Sequence, residues 1–271
     1  MKDKVGIGRD RSLLYPLQNM SLTFRTFAHL WVAVNCLLAG LLGYTWLSVP
    51  DVALLTAENP STTAFIEFRK AEATAAGKTL AVRQQWVALN AVPQLLQRTI
   101  IVAEDASFWV HEGVDWYEME EAIRDNINEG KRLRGASTIT QQTAKNLYLS
   151  PERSLYRKFR EFLITQELEA HLSKNRILEL YLNYIEFGEG LFGIGSAARH
   201  YFGKSPAELD LFEMVRLAAI IPNPLNLDPR RPSGDLRWRC RVILQRVRHY
   251  KWASEDEYQA ARSRMDAFFG R

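Results

Sequence analysis

The 271-residue chain carries a formal net charge of +4 and 47% hydrophobic residues, a composition that suits a folded core and excludes an intrinsically disordered chain. Its two cysteines, Cys36 and Cys240, form no CxxC pair, so neither a zinc site nor a disulfide framework is indicated. The charge is uneven, because residues 131–176 hold ten Lys or Arg against four Glu, which makes +6 there and −2 elsewhere. This basic region suits a polyanion, a diphosphate or an anionic membrane surface.

Residues 30–49 form an apolar segment of twenty residues without a charge. As a helix, this length crosses the roughly 30 Å of a bilayer's hydrocarbon. Trp31, Tyr44 and Trp46 lie near its ends, where aromatic anchors concentrate. A cleaved signal peptide is the alternative, but the apolar run is longer than a typical signal core and lacks a clear A-x-A site. We therefore expect a retained single-pass membrane anchor.

The flanking charges predict the orientation of this anchor. Residues 1–29 hold five basic residues against Asp3 and Asp10, whereas no Lys or Arg follows the anchor until Arg69. The positive-inside rule then places residues 1–29 in the cytoplasm and the rest of the chain outside. Residues 50–91 contain short polar clusters and one candidate strand, TLAVRQQWVAL, and are interpreted as a linker. The folded domain is predicted over residues 92–271.

The first helix of this domain is predicted to begin at Val92-Pro93, since proline is tolerated in a first helical turn. Leu95, Leu96, Ile100 and Ala103 form its apolar face. Because this face ends at Ala103, Glu104 and Asp105 are predicted to lie near the carboxyl end of the helix. The helix dipole is unfavourable for anions there, so two acids in this position favour a functional interpretation.

Capping signatures mark the next two helices. Asp115-x-x-Glu118 predicts a helix closed by Gly130, and a basic loop, KRLRG, follows it. Thr138-x-x-Gln141 predicts the start of another helix, whose free N–H groups can hold an oxyanion or a phosphate. On that helix a polar stripe recurs at three- and four-residue spacing, comprising Gln141, Gln142, Lys145 and Asn146. A solvated face would show more Glu/Lys pairs, so we favour a functional stripe.

Ser150-Pro151 predicts the N-cap and first residue of the following helix. Four apolar residues predict its buried stripe, namely Leu155, Phe159, Phe162 and Leu163. Arg157 and Glu161 lie four residues apart on it, and taken alone this spacing is typical of a surface ion pair.

Ser173 predicts a helix with Ile177, Leu180, Tyr181 and Tyr184 on one face, followed by a glycine-rich stretch. Gly193-x-Gly195-x-x-Ala198 fits a dinucleotide fingerprint, but we predict no preceding strand and no βαβ unit, so a nucleotide site is not expected.

Capping boxes at Asp210-x-x-Glu213 and Ser254-x-x-Glu257 predict two further helices. Strand signals are few, so the fold should be mainly α. His111 is the histidine near the polar motifs, and neither HExxH nor Ser-x-x-Lys occurs, which removes zinc-protease and acyl-serine chemistry.

Together, five runs resemble the monofunctional, membrane-anchored peptidoglycan glycosyltransferases, a family also found as the glycosyltransferase domain of class A penicillin-binding proteins. The runs span roughly residues 95–230 in the family's order: EDASFWVHEGVDW, GASTITQQTAKN, RKFRE, ILELYLNYIEFGEGLFGIGSAARHYFGK and LAAIIPNP. Ala136 and Thr143 depart from the usual residues without removing a polar group. The resemblance implies a mainly helical, lysozyme-like domain with a smaller membrane-proximal lobe.

The resemblance also implies a reaction. The family polymerises a lipid-linked disaccharide-pentapeptide, lipid II, into glycan strands, with inversion at the anomeric carbon and release of undecaprenyl diphosphate. Glu104 would be the general base for the acceptor hydroxyl. Glu161 would either orient nearby cations or hold a divalent Mg²⁺ or Mn²⁺, and the sequence leaves both roles open. Substrate contacts are expected at Asp105, Phe108, Ser137, Thr138, Gln141, Gln142, Lys145, Asn146, Arg153, Arg157 and Lys158.

The expected partners are lipid II, the growing glycan strand, the membrane and the cell-wall synthesis machinery, with no nucleic acid and no organic cofactor. The expected location is the inner membrane, with the catalytic domain in the periplasm. Two alternatives stay open. A lysozyme-like hydrolase would explain the carboxylates but not the basic stripe, because a neutral glycosidic bond has no anionic leaving group. A non-catalytic scaffold that binds glycan or acidic lipid would explain the basic stripe but not the carboxylates.

Overall fold

A computed structural model describes residues 15–129, 137–152 and 154–270. The described chain is mostly helical, which confirms the predicted fold class. It divides after Val49 into two compact units. Predictions that involve Gly130, the loop KRLRG and Arg153 lie outside the described residues.

The first unit contains the long helix α1, Tyr15–Leu47. Within it, Thr26–Leu47 is 22 residues long and apolar enough to cross a membrane. Apolar side chains along this stretch are exposed, including Leu37 and Leu47. The helix ends at Leu47 rather than at residue 49. An N-terminal helix of this kind could anchor the protein in a membrane.

The second unit contains the remaining elements. Its strands are β1 Arg83–Gln84, β2 Glu186–Gly188 and β3 Leu191–Phe192, in the order β1-β3-β2, with β3 parallel to β1 and antiparallel to β2. Its helices are α2 Ala64–Ala75, α3 Gln94–Glu104, α4 Trp116–Glu129, α5 Ile139–Tyr148, α6 Leu155–His171, α7 Lys174–Tyr184, α8 Ile194–Phe202, α9 Leu211–Ile220, α10 Gly234–His249 and α11 Glu255–Phe269.

Residues 50–91, interpreted as a linker from the sequence, belong to this second unit. They include β1 and α2, whose N-cap Thr63 accepts a hydrogen bond from the Ile66 backbone N–H at 3.2 Å. Ile66 is buried in the core. The segment therefore carries regular structure beyond the single strand that its sequence suggests.

Two groups of helices form the core around the site. Helix α9 is buried along its whole length and packs against α3 and α10. Helix α5 packs against α6, α7 and α2. The face predicted for α7 is confirmed, because all four of its residues are buried: Ile177, Leu180, Tyr181 and Tyr184. These contacts hold the carboxyl end of α3 and the length of α5 in place.

The capping predictions are largely confirmed. Capping boxes begin α5, α9 and α11 at Thr138, Asp210 and Ser254. At α4, the Glu118 backbone N–H donates to Asp115 Oδ1 at 2.9 Å. Helix α3 begins at Gln94, so Pro93 is its N-cap rather than a residue of its first turn.

The prediction for the start of α6 is wrong. The helix begins at Leu155, and its N-cap is Ser154, whose hydroxyl accepts from the Arg157 backbone N–H at 3.1 Å. Leu155 is 91% exposed and Phe159 is 38% exposed, so the predicted stripe is also wrong except at its Leu163 end. The buried face contains Glu161, Leu163, Ile164, Thr165 and Leu168, because packing on α5 and α7 decides which side of α6 turns inward.

The glycine-rich stretch also differs from expectation, because β3 directly precedes Gly193. Gly193 has a φ of 82°, and a Cβ there would lie 2.7 Å from the Asn183 carbonyl oxygen. At Gly195 a Cβ would lie 2.5 Å from the Val87 side chain. Close packing of the backbone therefore accounts for both glycines.

Candidate active site

Glu104 is the last residue of α3, and the buried side chains of Leu96 and Ile100 fix that helix in the core. The residue keeps partial exposure, but its Oε1 atom is buried and has no partner in the described part of the chain. Its Oε2 atom accepts a hydrogen bond from Gln142 Nε2 at 3.0 Å. One carboxylate oxygen is therefore held by a hydrogen bond, and the other is buried without a partner among the described residues.

Burial raises the pKa of Glu104 above its ordinary value of 4.5. The hydrogen bond from Gln142 and the charges of Arg239 and Lys145 act in the opposite direction, and the negative charge of Asp105 adds to the rise. Desolvation dominates because it penalises only the charged form. A carboxylate destabilised in this way is a stronger base than an exposed glutamate.

Asp105 follows Glu104 but has a different environment. Its Oδ2 accepts from the Ile139 backbone N–H at 2.9 Å, and both of its oxygens lie 3.0 Å from His111 Nε2. The Gly113 backbone N–H donates to His111 Nδ1 at 3.0 Å. Because Nδ1 is thereby an acceptor, the ring proton lies on Nε2 and points at Asp105. Asp105 therefore fastens the start of α5 to the end of α3.

Most of the backbone N–H groups at the start of α5 already donate to atoms of the protein. Thr138 Oγ1 accepts from the Gln141 N–H at 3.1 Å and donates to the Gly113 carbonyl at 2.6 Å, and the Gln141 side chain accepts from the Thr138 N–H. Asp105 takes the Ile139 N–H. Most of the donors expected to hold an oxyanion are thus used within the protein, and Ser137 beside them is exposed.

Two helices bring cations to the site. Glu161 on α6 is 3% exposed, and its Oε2 accepts from Arg157 Nη1 at 2.6 Å while its Oε1 accepts from Lys158 Nζ. The Lys145 ammonium on α5 has no hydrogen bond or ion pair among the described residues, although the Lys145 carbonyl accepts from the Leu149 N–H. Burial lowers its pKa, and the charges of Glu161 and Glu104 oppose that effect. Lys145 therefore lies within electrostatic reach of both carboxylates, with its ammonium available to an anion.

The remaining candidate residues have other surroundings. Phe108 is fully buried, contacts Trp109 and His111, and has the Lys174 ammonium 4.7 Å from its ring centroid. Asn146 is buried one turn beyond Gln142. The substrate-binding roles assigned to these residues stay predictions.

Two residues of the site were missed by the sequence interpretation. Arg239 on α10 donates from Nε to the Ala219 carbonyl at 2.7 Å, and its charge acts on Glu104. Tyr181 on α7 donates its hydroxyl to Gln142 Oε1 at 3.4 Å. Sequence gives no signal for either, since α10 resembles a solvated basic helix and Tyr181 fits an apolar face.

The described residues form no preformed cluster of ligands for a divalent ion. They contain no group of three or more His, Cys, Asp or Glu side chains placed to hold a metal. Both oxygens of Glu161 already accept from cationic side chains. A metal at Glu161 would therefore have to share this carboxylate with Arg157 and Lys158.

A mainly helical domain that holds a buried, half-paired carboxylate beside several cations defines an enzyme site suited to proton removal next to an anionic group. A sequence model described as Transglycosylase matches residues 69–248, well over half of the chain. The chain belongs to the transglycosylase family.

Named relatives share most of their length with this chain. A biosynthetic peptidoglycan transglycosylase of Methylobacillus flagellatus is 43% identical over 191 residues, covering 70% of this chain and 83% of that protein. One of Nitrosomonas europaea is 43% identical over 220 residues, covering 75% and 90%. The crystal structure of penicillin-binding protein 1A from Haemophilus influenzae overlaps with a TM-score of 0.38 and 24% identity over 66% of this chain and 17% of that chain, which is too low to establish a shared fold.

Proposed function

We propose that the protein is a biosynthetic peptidoglycan transglycosylase that polymerises lipid II into glycan strands and releases undecaprenyl diphosphate. The observation that carries this proposal is that a buried Glu104 carboxylate, without a partner at Oε1 in the described chain, lies within electrostatic reach of the Lys145 ammonium. The first can take a proton, and the second can meet a diphosphate. The relatives' shared name supports the same activity.

In the proposed reaction, Glu104 Oε1 takes the proton of the acceptor sugar's 4-hydroxyl as that oxygen attacks the donor's anomeric carbon. The bond from this carbon to the diphosphate oxygen breaks, and its electron pair leaves with undecaprenyl diphosphate. Attack opposite the leaving group inverts the anomeric centre. Lys145, Arg157 and Lys158 offset the negative charge that develops on the diphosphate.

Glu161 is assigned a positioning role in this scheme. Its two oxygens hold Arg157 and Lys158 in fixed directions, since an ion pair with one partner nearly fully buried restricts both side chains. The divalent-ion role for Glu161 receives no support from these contacts, and no step of the scheme requires it.

We infer that the amino terminus is cytoplasmic and that the catalytic domain lies in the periplasm beside the inner membrane. The basic residues before α1 and the apolar span Thr26–Leu47 support this topology. The catalytic unit also exposes large apolar side chains, among them Val110, Trp116 and Leu155, which suit contact with lipid. Association with the cell-wall synthesis machinery stays a prediction.

The test is polymerisation of purified lipid II by the full-length protein in detergent, with glycan products resolved on a gel. Glu104→Gln should reduce product formation by about 10²–10⁴-fold, the usual contribution of a general base. The matched control is Glu120→Gln, which changes an exposed glutamate paired with Arg124 and should retain full activity. Circular dichroism checks that both variants fold. Near-normal product from folded Glu104→Gln would refute the base assignment, and release of soluble fragments from cross-linked cell wall would instead favour a hydrolase.

A further inference from the structure

Resting on the proposed function, we propose that Tyr181 is a positioning residue that acts through Gln142. The Tyr181 hydroxyl fixes the Gln142 side-chain amide so that its NH₂ group faces Glu104. Glu104 Oε2 is thereby held, and Oε1 is left to take the acceptor's proton. This role is distinct from the sugar or phosphate contact that the sequence suggests for Gln142.

The three side chains form a directional chain of hydrogen bonds. Tyr181 Oη donates to Gln142 Oε1 at 3.4 Å, and Gln142 Nε2 donates to Glu104 Oε2 at 3.0 Å. They come from three helices, α7, α5 and α3, of which α5 and α7 pack directly against each other. Tyr181 is 1% exposed, so solvent water does not compete with its hydroxyl as the donor to Gln142 Oε1.

The proton on Tyr181 is what gives the chain its direction. Burial raises the pKa of Tyr181 well above its ordinary value of 10.0, so the hydroxyl keeps its proton and can donate it. An amide has a donor end and an acceptor end of nearly equal size. A hydroxyl that donates to the Oε1 end leaves the NH₂ end for the carboxylate.

Removing the hydroxyl should therefore disturb Glu104 although the two residues are linked only through Gln142. In Tyr181→Phe, Gln142 Oε1 loses its donor, and the amide can rotate so that an oxygen faces the carboxylate. Two facing acceptors favour the protonated carboxyl, which raises the pKa of Glu104 further. The acidic limb of the kcat/KM profile should move to higher pH, because the base must be ionised to act.

A second buried tyrosine on α7 provides a matched control. Tyr184 is 2% exposed, and its hydroxyl donates to the Pro60 carbonyl. Tyr184→Phe removes a buried tyrosine hydroxyl and its hydrogen bond without touching Gln142 or Glu104. A general loss of stability would affect both tyrosine variants, whereas a shifted acidic limb should follow only from Tyr181→Phe.

The experiment measures kcat/KM for lipid II against pH in the wild type, Tyr181→Phe, Tyr184→Phe, Gln142→Ala and the Tyr181→Phe/Gln142→Ala double variant. Because small misplacements of reacting groups are costly, we expect kcat/KM near neutral pH to fall about 10- to 100-fold in Gln142→Ala and about 3- to 10-fold in Tyr181→Phe. Both variants should shift the acidic limb upward. The double variant should match Gln142→Ala, since Tyr181 acts through Gln142.

Three results would overturn the proposal: an unshifted limb in folded Tyr181→Phe, an equal shift in Tyr184→Phe, or a further shift when Tyr181→Phe is added to Gln142→Ala. Gln142→Ala tests the Gln142–Glu104 hydrogen bond on which the proposal depends, so an unshifted limb in that variant also overturns it, whether or not Tyr181→Phe folds. A wild-type protein that does not polymerise lipid II would refute the proposed function instead, so the two failures are distinguishable.

Discussion

Asp105 Oδ2 accepts a hydrogen bond from the Ile139 backbone N–H at 2.9 Å, so the residue next to Glu104 holds the first residue of α5. Adjacent carboxylates thus have opposite environments. Asp105 is surrounded by N–H donors, whereas Glu104 has one donor on Oε2 and none on Oε1 in the described chain. Asp105 therefore has a structural role in joining α3 to α5, whereas burial raises the pKa of Glu104 and makes it the stronger candidate for a base.

The raised pKa of Glu104 predicts a pH-dependent effect of Glu104→Gln on stability. The folded state binds this proton more tightly than the unfolded state, so the stabilisation is fully present below the ordinary pKa of 4.5 and is lost as pH rises through the higher folded value. Glutamine mimics the protonated form at every pH. We therefore expect Glu104→Gln to have a higher Tm than the wild type near neutral pH and a similar Tm in acid.

Thermal unfolding in detergent across this pH range checks the expectation. For a domain of this size, each 1 kcal/mol of difference raises Tm by about 2–4 °C. Glu120→Gln serves again as the exposed control and should track the wild type at all pH values. A Glu104→Gln protein less stable than the wild type near neutral pH would show that the ionised carboxylate stabilises the fold. This result would contradict the expectation that burial destabilises the ionised form.

The pH profile of the wild-type enzyme should be bell-shaped. The acidic limb of kcat/KM reports Glu104 and should lie above 4.5, and the basic limb reports Lys145 and should lie below 10.5 because burial lowers the pKa of that ammonium. Lys145→Arg should lose the basic limb, since arginine stays protonated throughout. Lys70→Arg, at an exposed lysine, is the control. A basic limb that persists in Lys145→Arg would assign it to another group.

Local signals predicted much of the architecture. Each capping box needs only a residue and its neighbour three positions on, so Thr138, Asp210 and Ser254 could be identified from the sequence. The position of Glu104 at a helix end could also be predicted locally, from the apolar pattern of the residues that precede it. Ser150-Pro151 misled because Ser154 offers an equally good cap nearer the helix, and local sequence does not rank the two.

The parts that could not be predicted depend on contacts between distant segments. Tyr181 reaches Gln142 from a helix 39 positions later in the chain, and Arg239 acts on Glu104 from α10. Periodicity assigned Tyr181 to an apolar face, which is correct for its ring but gives no information about its hydroxyl. The partner of a buried polar atom is decided by tertiary packing, so local sequence patterns do not reveal it.

The contacts of Glu161 predict that Glu161→Ala lowers both the stability of the protein and the pKa of Lys145. Glu161→Ala leaves Arg157 and Lys158 without their shared acceptor, and because these side chains are 19% and 47% exposed, water offsets part of the loss. We expect a destabilisation of about 1–3 kcal/mol. Since the charge of Glu161 raises the pKa of Lys145, its removal should also move the basic limb of kcat/KM to lower pH.

Glu167→Ala on the same helix is the control, because Glu167 is more exposed and lies near His171. The charge-only variant Glu161→Gln distinguishes the two roles left open for Glu161. A positioning role leaves any Mg²⁺ or Mn²⁺ dependence of activity unchanged in this variant. A large increase in the ion concentration needed for half-maximal activity would contradict positioning and favour direct coordination by Glu161.

Asp105→Ala should combine a loss of stability with a loss of activity. The variant removes the acceptor for the Ile139 N–H and for His111, which should cost about 1–3 kcal/mol because charge-assisted hydrogen bonds are lost. The start of α5 is then released from α3, so Gln142 one turn later is less well placed against Glu104. We expect kcat to fall about 10- to 100-fold, because positioning errors are costly.

Asp210→Ala separates these two effects. Asp210 caps α9 by accepting from the Phe212 and Glu213 N–H groups, so its loss should lower Tm while leaving the hydrogen bond between Asp105 and the Ile139 N–H intact. Thermal unfolding and lipid II polymerisation are measured for both variants at a temperature where each is folded. Equal activity losses in the two variants would mean that the Asp105 effect comes from general destabilisation. A selective loss in Asp105→Ala would support its role in holding α5 against the catalytic carboxylate.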